Sequence, residues 1–356
     1  MKRNHTFRLL VLATSHKTRG GITSVIKSHQ KGGQWKAFHC CWLETHIDRA
    51  YGWKLLYMIK SLVLYVFILP FYDLIHIHVS EPSSAIRKGV FMLLAHLMRK
   101  KTIVHFHSFS PETTIQGKFQ KVYGYLFKTA DVVITLSDYW KKEVDKKFHL
   151  QNKTMVLFNP CAKISHTRSV YSKKKLILYA GAINNRKGYA DLIKAFSEIA
   201  DKYPDWQIIF AGDGDIKQGE DLTECLGIRR QVIFLGWVNG AVKDKIFKES
   251  TIFCLPSYAE GFPMAVLDAW AYGLPVISTP VGGLPDIAKD GDNIMLFNPG
   301  DITGLVQCLD KMISDDGLRN KIAMESCRLA EEAFNEEIIN KQLGCIYEMV
   351  LTEKKV

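Results

Sequence analysis

Short apolar segments alternate with longer segments of helical periodicity along most of the 356 residues, and this alternation occurs twice. Such a pattern is typical of parallel sheets, because each strand is followed by a helix that returns the chain to the same edge. Two runs predict two doubly wound α/β domains of about 150 residues each. The ten candidate strands are Arg8–Ala13, Leu74–His78, Thr102–His107, Val132–Leu136, Met155–Phe158, Leu176–Ala180, Gln207–Ala211, Val232–Leu235, Ile252–Leu255 and Pro275–Ser278.

Domain boundaries follow from the same pattern. Helical periodicity fills most gaps between strands, for example at Tyr189–Lys202 and Pro263–Tyr272, and basic residues crowd at Ser165–Lys175 between the two runs. We therefore expect one domain over residues 1–165 and a second over residues 166–335. The helical segment Glu336–Val350 has no strand after it, so residues 336–356 either close the second domain or reach back to the first.

Charge divides the chain more sharply than hydropathy does. The net charge is +11, but the first 175 residues carry 29 Lys and Arg against 9 Asp and Glu, whereas the remainder carries 18 against 27. A basic half indicates a polyanionic partner, and the plain alternative is a solvated lysine-rich surface without function. The basic residues are spread out and no nucleic-acid motif accompanies them, so an anionic membrane surface is favoured over nucleic acid.

Cysteine usage and the apolar segments bear on localisation. The eight cysteines are scattered without a CxxC pair, which favours a reducing cytoplasm over a secreted disulfide scaffold or a zinc ribbon. The apolar run after Arg8 is too short for a signal peptide and is typical of a first strand. The segment Leu55–Tyr72 has two interpretations: a buried core helix, or a helix lying in a membrane surface. Its anchors in the second case would be Trp53, Tyr57, Tyr65 and Phe67.

Two HxH pairs stand on candidate strands, at His76 with His78 and at His105 with His107. Alternation along a strand places both members of a pair on one face, so metal binding has to be weighed. No HExxH or HxxEH spacing is present, and the favoured interpretation is that one histidine of each pair packs in the core while the other caps a strand end. His107 ends its strand and is the better active-site candidate, and we predict no metal site.

Glycine-containing turns follow several strands, where doubly wound sheets bind their ligands. Gly20 and Gly21 open a helix after the first strand, and Gly181 leads to Arg186 and Lys187 before another helix. Two cations beside a helix N-terminus suit a diphosphate. The Gly212 turn contains a bare DxD string, which we interpret as a glycine turn rather than a metal motif.

The segment Pro256–Ala269 is the richest in candidate ligands. Pro263 suits the first turn of a helix, which places Glu260 in the preceding loop and Asp268 on the helix. Both carboxylates can then point into one cleft and accept from sugar hydroxyls, while the backbone amides meet phosphate. Those amides belong to Gly261, Phe262 and Met264.

Read as a whole, SYAEGFPMAVLDAWAYGLPVISTPVGGLPDI (257–287) resembles the nucleotide-sugar signature of retaining glycosyltransferases of the GT4 type. The early GG turn, the strand ending at His107, the Arg186-Lys187-Gly188 loop and the Gly212 turn occur in the same order as in that family. The resemblance implies a GT-B fold, in which two Rossmann-like domains face each other across a cleft. The N-terminal domain would bind the acceptor, the C-terminal domain would bind the nucleotide-sugar, and the final helix would cross back.

The resemblance also implies roles for individual residues. Glu260 would bind donor-sugar hydroxyls, Asp268 the ribose, and Arg186 with Lys187 the diphosphate leaving group. Gly20 and Gly21 would approach the same phosphates, His107 would line the donor-sugar and acceptor pocket, and the Gly282-Gly283 loop would help to close the site. The remaining nucleotide contacts would come from the backbone at Gly181, Gly212, Gly261, Phe262 and Met264.

Two positions depart from the family pattern: Asp268 replaces the second Glu of an E-x7-E spacing, and Ala182 stands where Arg is common after Gly181. The implied activity is metal-independent, retaining hexosyl transfer without a cofactor, from a UDP-sugar in preference to a GDP-sugar. The basic first domain favours a lipid-linked saccharide acceptor, at the inner face of the cell membrane, in bacterial surface polysaccharide synthesis; transfer to a soluble acceptor is the alternative. The two departures also leave room for a non-catalytic docking subunit of an assembly complex, and the fold for a nucleotide-sugar epimerase or hydrolase.

Overall fold

The computed structural model describes residues 6–48, 50–150, 152–162, 164 and 173–353. Two compact units make up the chain: the N-terminal unit comprises Met1–Pro160 with Glu336–Val356, and the C-terminal unit comprises Cys161–Asn335. The domain boundary expected at residue 165 lies outside the described residues.

The N-terminal unit is built on a six-stranded sheet of order β2-β1-β3-β4-β5-β6, and every pairing in it is parallel. The central strands are buried on both faces, which explains their continuous apolar runs. The strands are β1 (Leu9–Thr14), β2 (Cys41–His46), β3 (Leu74–Val79), β4 (Lys101–Phe106), β5 (Val132–Thr135) and β6 (Thr154–Val156).

Helices cover both faces of this sheet, and two apolar clusters form the core. One face packs on α3 to α6, and the other on α1, α2 and α13, whose Ile339, Leu343 and Tyr347 are buried. The helices are α1 (Gly21–His29), α2 (Gly33–Ala37), α3 (Tyr51–Ile68), α4 (Pro82–Leu97), α5 (Gln120–Thr129), α6 (Asp138–Phe148) and α13 (Glu336–Thr352).

A buried amide network attaches α13 to the rest of its unit. The Oδ1 atom of Asn340 lies 2.8 Å from His29 Nδ1 and accepts a second hydrogen bond, also 2.8 Å, from Gln34 Nε2. Asn340 Nδ2 in turn donates to the Ser28 carbonyl at 3.1 Å. Helix α13 thus completes the N-terminal unit, although the whole C-terminal unit precedes it in the sequence.

The C-terminal unit repeats the architecture with a parallel sheet of order β12-β11-β10-β7-β8-β9. Its strands are β7 (Leu176–Ala180), β8 (Gln207–Ala211), β9 (Val232–Gly236), β10 (Ile252–Leu255), β11 (Val276–Ser278) and β12 (Met295–Leu296). Its helices are α7 (Tyr189–Ser197), α8 (Ile216–Cys225), α9 (Gly240–Glu249), α10 (Met264–Ala271), α11 (Ile302–Ser314) and α12 (Asp316–Leu329).

All ten predicted strands are present, each within two residues at either end. Two edge strands, β2 and β12, were not predicted, because the first is a mixed sequence of partly exposed residues and the second is two residues long. The expectation for Pro263 was wrong by one position: the residue precedes α10 as its N-cap and does not occupy the first turn.

Candidate functional site

Glu260 lies in the loop between β10 and α10 and is 7% exposed. Its carboxylate is paired with the Lys187 ammonium and accepts a hydrogen bond of 2.7 Å from the Ser257 hydroxyl. The Arg186 guanidinium lies 3.7 Å from the other carboxylate oxygen. A buried anion therefore holds two cations beside it, and the Lys187 side chain is itself only 14% exposed.

The two cations are presented by a short 3₁₀ turn, Asn185–Lys187, which follows β7 and precedes α7. The Asn184 side chain caps this turn by accepting from the Lys187 amide at 3.1 Å. Arg186 donates through Nη1 to the Ala259 carbonyl at 2.7 Å, and its own carbonyl accepts from the Tyr258 amide at 2.8 Å. The loop after β7 and the loop after β10 are thus bound together on both sides of Glu260.

Two glycines allow the loops to approach this closely. Gly188 has φ +69°, and a Cβ there would overlap the Pro256 carbonyl oxygen and lie 2.9 Å from its carbon. Gly282 has φ +61°, and a Cβ there would overlap the Glu260 carbonyl oxygen and lie 2.8 Å from that of Gly261. The Gly282-Gly283 loop therefore lies directly against the main chain of Glu260, and the Gly283 amide donates to the Gly261 carbonyl at 2.8 Å.

The turns after β7 and β8 also meet. A Cβ on Gly212 would overlap the Gly181 carbonyl oxygen, and the Asp213 carboxylate accepts from the Trp237 amide at 2.9 Å. The Asp213 side chain of the DGD string thus connects the turn after β8 to the residue that follows β9. Ala182 adds no charge to this edge, and its carbonyl accepts from the buried Tyr179 hydroxyl at 2.7 Å.

Asp268 lies on α10 and is paired with Lys243 of α9, at 2.6 Å between Nζ and Oδ2. Each of the two predicted carboxylates therefore has its own lysine: Lys187 for Glu260 and Lys243 for Asp268. Lys243 was not predicted from the sequence, because several similar lysines lie on α9 and no turn or glycine distinguishes this one.

The remaining predicted residues of the segment lie around the start of α10. The Phe262 ring is 4% exposed and packs against Phe334, with 5.7 Å between ring centroids. Any ligand contact of Phe262 would accordingly come from its main chain. Met264 is the first residue of α10, and Gly261 lies in the loop two residues before Pro263.

In the N-terminal unit, four histidines on β3, on β4 and directly after β4 form one stack, in which His107 is partly exposed and the other three are buried. His78 stands opposite His105 in the strand register, and ring centroids are 4.4 Å apart for His76–His78 and 4.2 Å for His105–His107. The His78 Nδ1 atom lies 2.8 Å from His107 Nε2. The prediction that one member of each pair packs while the other caps a strand end is wrong for His76 and His78, which are both buried within β3. It agrees with the second pair, because His105 is buried in β4 and the partly exposed His107 follows the end of that strand.

Burial keeps these rings uncharged at neutral pH. Desolvation, with a smaller contribution from His29, lowers the pKa of His107 to about 3. Desolvation also lowers the pKa of His76, His78 and His105 well below the ordinary range of histidine. His107, the first residue beyond β4, therefore offers neutral imidazole chemistry at the carboxyl end of the sheet.

The glycine pair of the N-terminal unit stands where it was expected. Helix α1 begins at Gly21, and Gly20 before it has no side chain with which to cap the helix. The hydroxyls of Thr14 and Thr23, 3.0 Å apart, connect the end of β1 to the first turn of α1. An uncapped helix start after a strand is a common anion site in doubly wound sheets.

Comparison with known proteins decides the family. The family model described as Glycosyl transferases group 1 matches residues 163–326, a range that contains Arg186, Lys187, Glu260 and Asp268. The matched part of the chain, residues 163–326, belongs to this family. Its resemblance to group 1 glycosyltransferases in the sequence is thereby confirmed.

The individual relatives agree with this assignment. The chain is 31% identical over 235 residues to an uncharacterised glycosyltransferase of Methanocaldococcus jannaschii, covering 62% of this chain and 60% of that protein. It is also 31% identical over 234 residues to the lipopolysaccharide 1,6-galactosyltransferase of Salmonella typhimurium, covering 63% of each. Less than two thirds of either relative's length is therefore matched.

Among solved structures, the Anabaena protein HepE in complex with UDP superimposes with a TM-score of 0.79 at 19% identity. The match covers 96% of this chain and 100% of that one. This likeness shows the GT-B fold that the sequence predicted.

An exposed apolar face distinguishes the N-terminal unit. Helix α3 continues through a short 3₁₀ turn, and Gly52–Phe71 is a continuous apolar segment that is mostly exposed. By length and composition alone this helix could span a membrane. The buried-core interpretation of Leu55–Tyr72 was therefore wrong for most of the segment, although Tyr65 is fully buried and donates to the Phe91 carbonyl at 3.2 Å.

The apolar face extends onto the neighbouring helix α4. Its exposed apolar residues recur at intervals of three and four, which places them along one stripe of the helix. On α3 the stripe comprises Leu56, Ile59, Val63, Val66 and Phe67, and on α4 it comprises Ile86, Val90, Leu93 and Leu97. Lys60, Arg99 and Lys100 lie on or directly after these helices.

A groove of about 720 Å³ lies beside the edge strand β2 in the same unit. It combines aromatic faces with cationic side chains, a mixture that suits a saccharide or the phosphate of an amphiphile. Its lining includes His16, Lys27, Trp35, Trp42, Tyr57 and Lys60. This groove was not predicted from the sequence, because the strand β2 beside it was not predicted either.

Proposed function

We propose that this chain is a retaining glycosyltransferase of the GT4 type. It transfers a hexose from a nucleotide-sugar, a UDP-sugar in preference to a GDP-sugar, to a hydroxyl of a saccharide acceptor. The observation that carries the proposal is the pairing of Lys187 and Arg186 with buried Glu260 at the carboxyl ends of β7 and β10. In doubly wound sheets this edge binds the ligand, and two cations suit a diphosphate.

Lys187 and Arg186 stabilise the diphosphate as it leaves the sugar. As the glycosidic bond breaks, negative charge grows on the diphosphate, and positive groups that are already in place stabilise it without reorganisation. Glu260 holds the Lys187 ammonium inside the site when no ligand is bound, so the charge does not extend into solvent. Arg186 adds the second cation that Ala182 does not provide. These groups take the place of a metal ion in the proposed reaction.

The other donor contacts follow the family resemblance. When the Lys187 ammonium leaves Glu260 to bind phosphate, Glu260 would accept hydrogen bonds from sugar hydroxyls. Asp268 would likewise accept hydrogen bonds from the ribose hydroxyls in place of its ion pair with Lys243. The main chain at Gly181, Gly212, Gly261, Phe262 and Met264 would complete the nucleotide site. HepE, which has the same fold, was solved with UDP, and this supports the choice of nucleotide.

For the acceptor we propose a lipid-linked saccharide at the inner, anionic face of the cell membrane, in bacterial surface polysaccharide synthesis. Apolar stripes flanked by lysine and arginine are what an interfacial surface requires. The groove beside β2 opens next to α3 and offers aromatic faces to a saccharide. The Salmonella relative is a lipopolysaccharide galactosyltransferase, which supports an acceptor of this class.

Calorimetric titration tests the donor site. UDP, GDP, ADP and CMP are titrated into the purified protein in EDTA, and into the Lys187→Ala and Lys194→Ala variants. Lys194 lies on the exposed side of α7 in the same unit, so its removal changes the net charge equally. We expect metal-free binding of UDP that is lost in Lys187→Ala and kept in Lys194→Ala.

These titrations, together with an assay of UDP-sugar turnover, distinguish a transferase from a docking subunit, a hydrolase or an epimerase. If no nucleotide binds to the folded protein, the chain is a docking subunit and the proposal fails. If a UDP-sugar is consumed with no acceptor present, the chain is a hydrolase or an epimerase. Transfer to an added lipid-linked saccharide, with the α-linkage of the donor retained in the product, supports the full proposal.

Vesicle flotation tests the membrane contact independently of catalysis. Phe67 on α3 and Met324 on α12 are both 72% exposed, so Phe67→Glu and Met324→Glu form a matched pair. Vesicles containing phosphatidylglycerol should bind the wild type and Met324→Glu, and bind Phe67→Glu at least ten-fold more weakly. Equal binding of the two variants would remove the apolar face from the proposal.

A further inference from the structure

The histidine stack contains ring nitrogens that bind nothing else in the described part of the chain. Nε2 of His76, Nε2 of His78 and both nitrogens of His105 are buried without a hydrogen-bond partner there. Buried polar atoms are almost always paired in native proteins, and unpaired ones indicate an unseen ligand such as an ion. Four such nitrogens lie on three residues of one stack, so unpartnered polar atoms are concentrated in this place.

The partnered nitrogens on two of these rings have the arrangement seen around bound metals. His76 Nδ1 lies 2.8 Å from the Tyr347 hydroxyl, and His78 Nδ1 lies 2.8 Å from His107 Nε2. Metal-binding histidines commonly use one nitrogen for the metal and the other for such a hydrogen bond, which fixes the orientation of the ring. The unpartnered Nε2 atoms of His76 and His78 are the ones left to coordinate.

We propose that His76, His78 and His105 bind one divalent transition-metal ion, Zn²⁺ in the first instance, through three imidazole nitrogens. One nitrogen from each ring lies within 4.8 Å of the other two. Nitrogens around a tetrahedral Zn²⁺ with bonds of about 2.0–2.1 Å are about 3.3 Å apart, so side-chain rotation brings these three into range. Three imidazoles without a carboxylate suit Zn²⁺, Ni²⁺ or Cu²⁺ and not Mg²⁺ or Ca²⁺.

The stack also provides a route to the site. It runs from His76 in the middle of β3 to His107, which is half-buried at the carboxyl end of β4. In this proposal an ion enters past His107, the partly exposed end of the stack.

This site is separate from the proposed sugar transfer, which uses Lys187 and Arg186 instead of a metal. Metal binding is therefore measured directly and not through activity. Tag-free protein is stripped with EDTA, desalted and titrated with Co²⁺, whose visible ligand-field bands report coordination by nitrogen. A cobalt–thiolate band in the near ultraviolet would reveal binding at Cys40 and Cys41 instead. Zn²⁺ is then added to displace Co²⁺, and zinc is counted by elemental analysis after gel filtration.

The variants are His105→Phe, which keeps a stacked ring, and His96→Ala on the exposed side of α4 as the control. We expect one zinc per chain in the wild type and in His96→Ala, and at least ten-fold weaker binding in His105→Phe. If His105→Phe fails to fold, the thermal midpoint of the wild type decides, because a bound ion must raise it. Folded wild-type protein without zinc, or equal zinc in His105→Phe, would overturn the proposal.

Discussion

Replacing Gly188 by alanine tests how tightly the cation loop is joined to the strand that carries Glu260. Gly188 and Gly273 have nearly the same φ, +69° and +64°, so both substitutions carry the same backbone penalty of about 1–2 kcal/mol. They differ in surroundings, because a Cβ at Gly273 meets nothing within 4 Å whereas one at Gly188 overlaps the Pro256 carbonyl. Forcing that carbonyl away adds about 1–3 kcal/mol, the usual magnitude of overpacking.

We therefore expect Gly188→Ala to destabilise the C-terminal unit by about 2 kcal/mol more than Gly273→Ala. With a urea dependence of about 2 kcal/mol per molar, this difference moves the unfolding midpoint by about 1 M. Tryptophan fluorescence during urea unfolding measures it, since Trp270 is fully buried in this unit. Calorimetry should also show weaker UDP binding in Gly188→Ala only. Equal midpoints for the two variants would refute the close approach of the two loops.

Three further predictions concern single side chains. Glu260→Gln removes the anion that competes with a diphosphate for Lys187, so calorimetry should show UDP binding at least as tight as in the wild type. The same variant should transfer the sugar about 100-fold more slowly, and an unchanged rate of transfer would contradict the role of Glu260. Burial lowers the pKa of His29 to about 4, so below pH 6.5 the unfolded chain binds a proton that the folded chain does not, and stability falls as the pH falls. Between pH 7 and pH 5 the wild type should lose about 2 kcal/mol more than His29→Gln in urea titrations, and parallel losses would remove His29 as the cause. Asn340→Ala deletes three hydrogen bonds and should lower the free energy of unfolding of the N-terminal unit by about 2–4 kcal/mol. Lys341→Ala, at an exposed position, should change that free energy by less than about 0.5 kcal/mol. Equal stabilities of the two variants in thermal unfolding would argue against the network.

The strands were predictable because most are buried on both faces and are therefore continuous apolar runs. Strand β2 was not predicted, because Cys41–His46 mixes polar and apolar residues, which a strand at the edge of a sheet tolerates. Glu260 and Lys187 were predictable because glycine-containing turns mark the strand ends beside them. Lys243 was not, since its importance depends on which residue of α10 it meets.

The histidine stack could be predicted only in part from the individual strands. Period-two alternation correctly placed His76 with His78, and His105 with His107, on common faces. Whether the two pairs meet depends on the register of β3 against β4, which sets His78 opposite His105. The sequence of either strand alone does not determine this register. The exposure of α3 was equally undecidable, because an apolar helix has the same sequence pattern in a core as on a surface.

The place of α13 has a consequence for how the chain is made. The N-terminal unit is discontinuous, since Asn340 joins residues such as His29 that are synthesised about 300 positions earlier. The C-terminal unit, by contrast, is one continuous stretch from Cys161 to Asn335. During translation it can therefore fold to completion while the sheet that precedes it still lacks a helix over the buried face of Leu9 and Val11. Nascent chains should thus expose that apolar face to chaperones until α13 leaves the ribosome, and the unit synthesised first becomes native last.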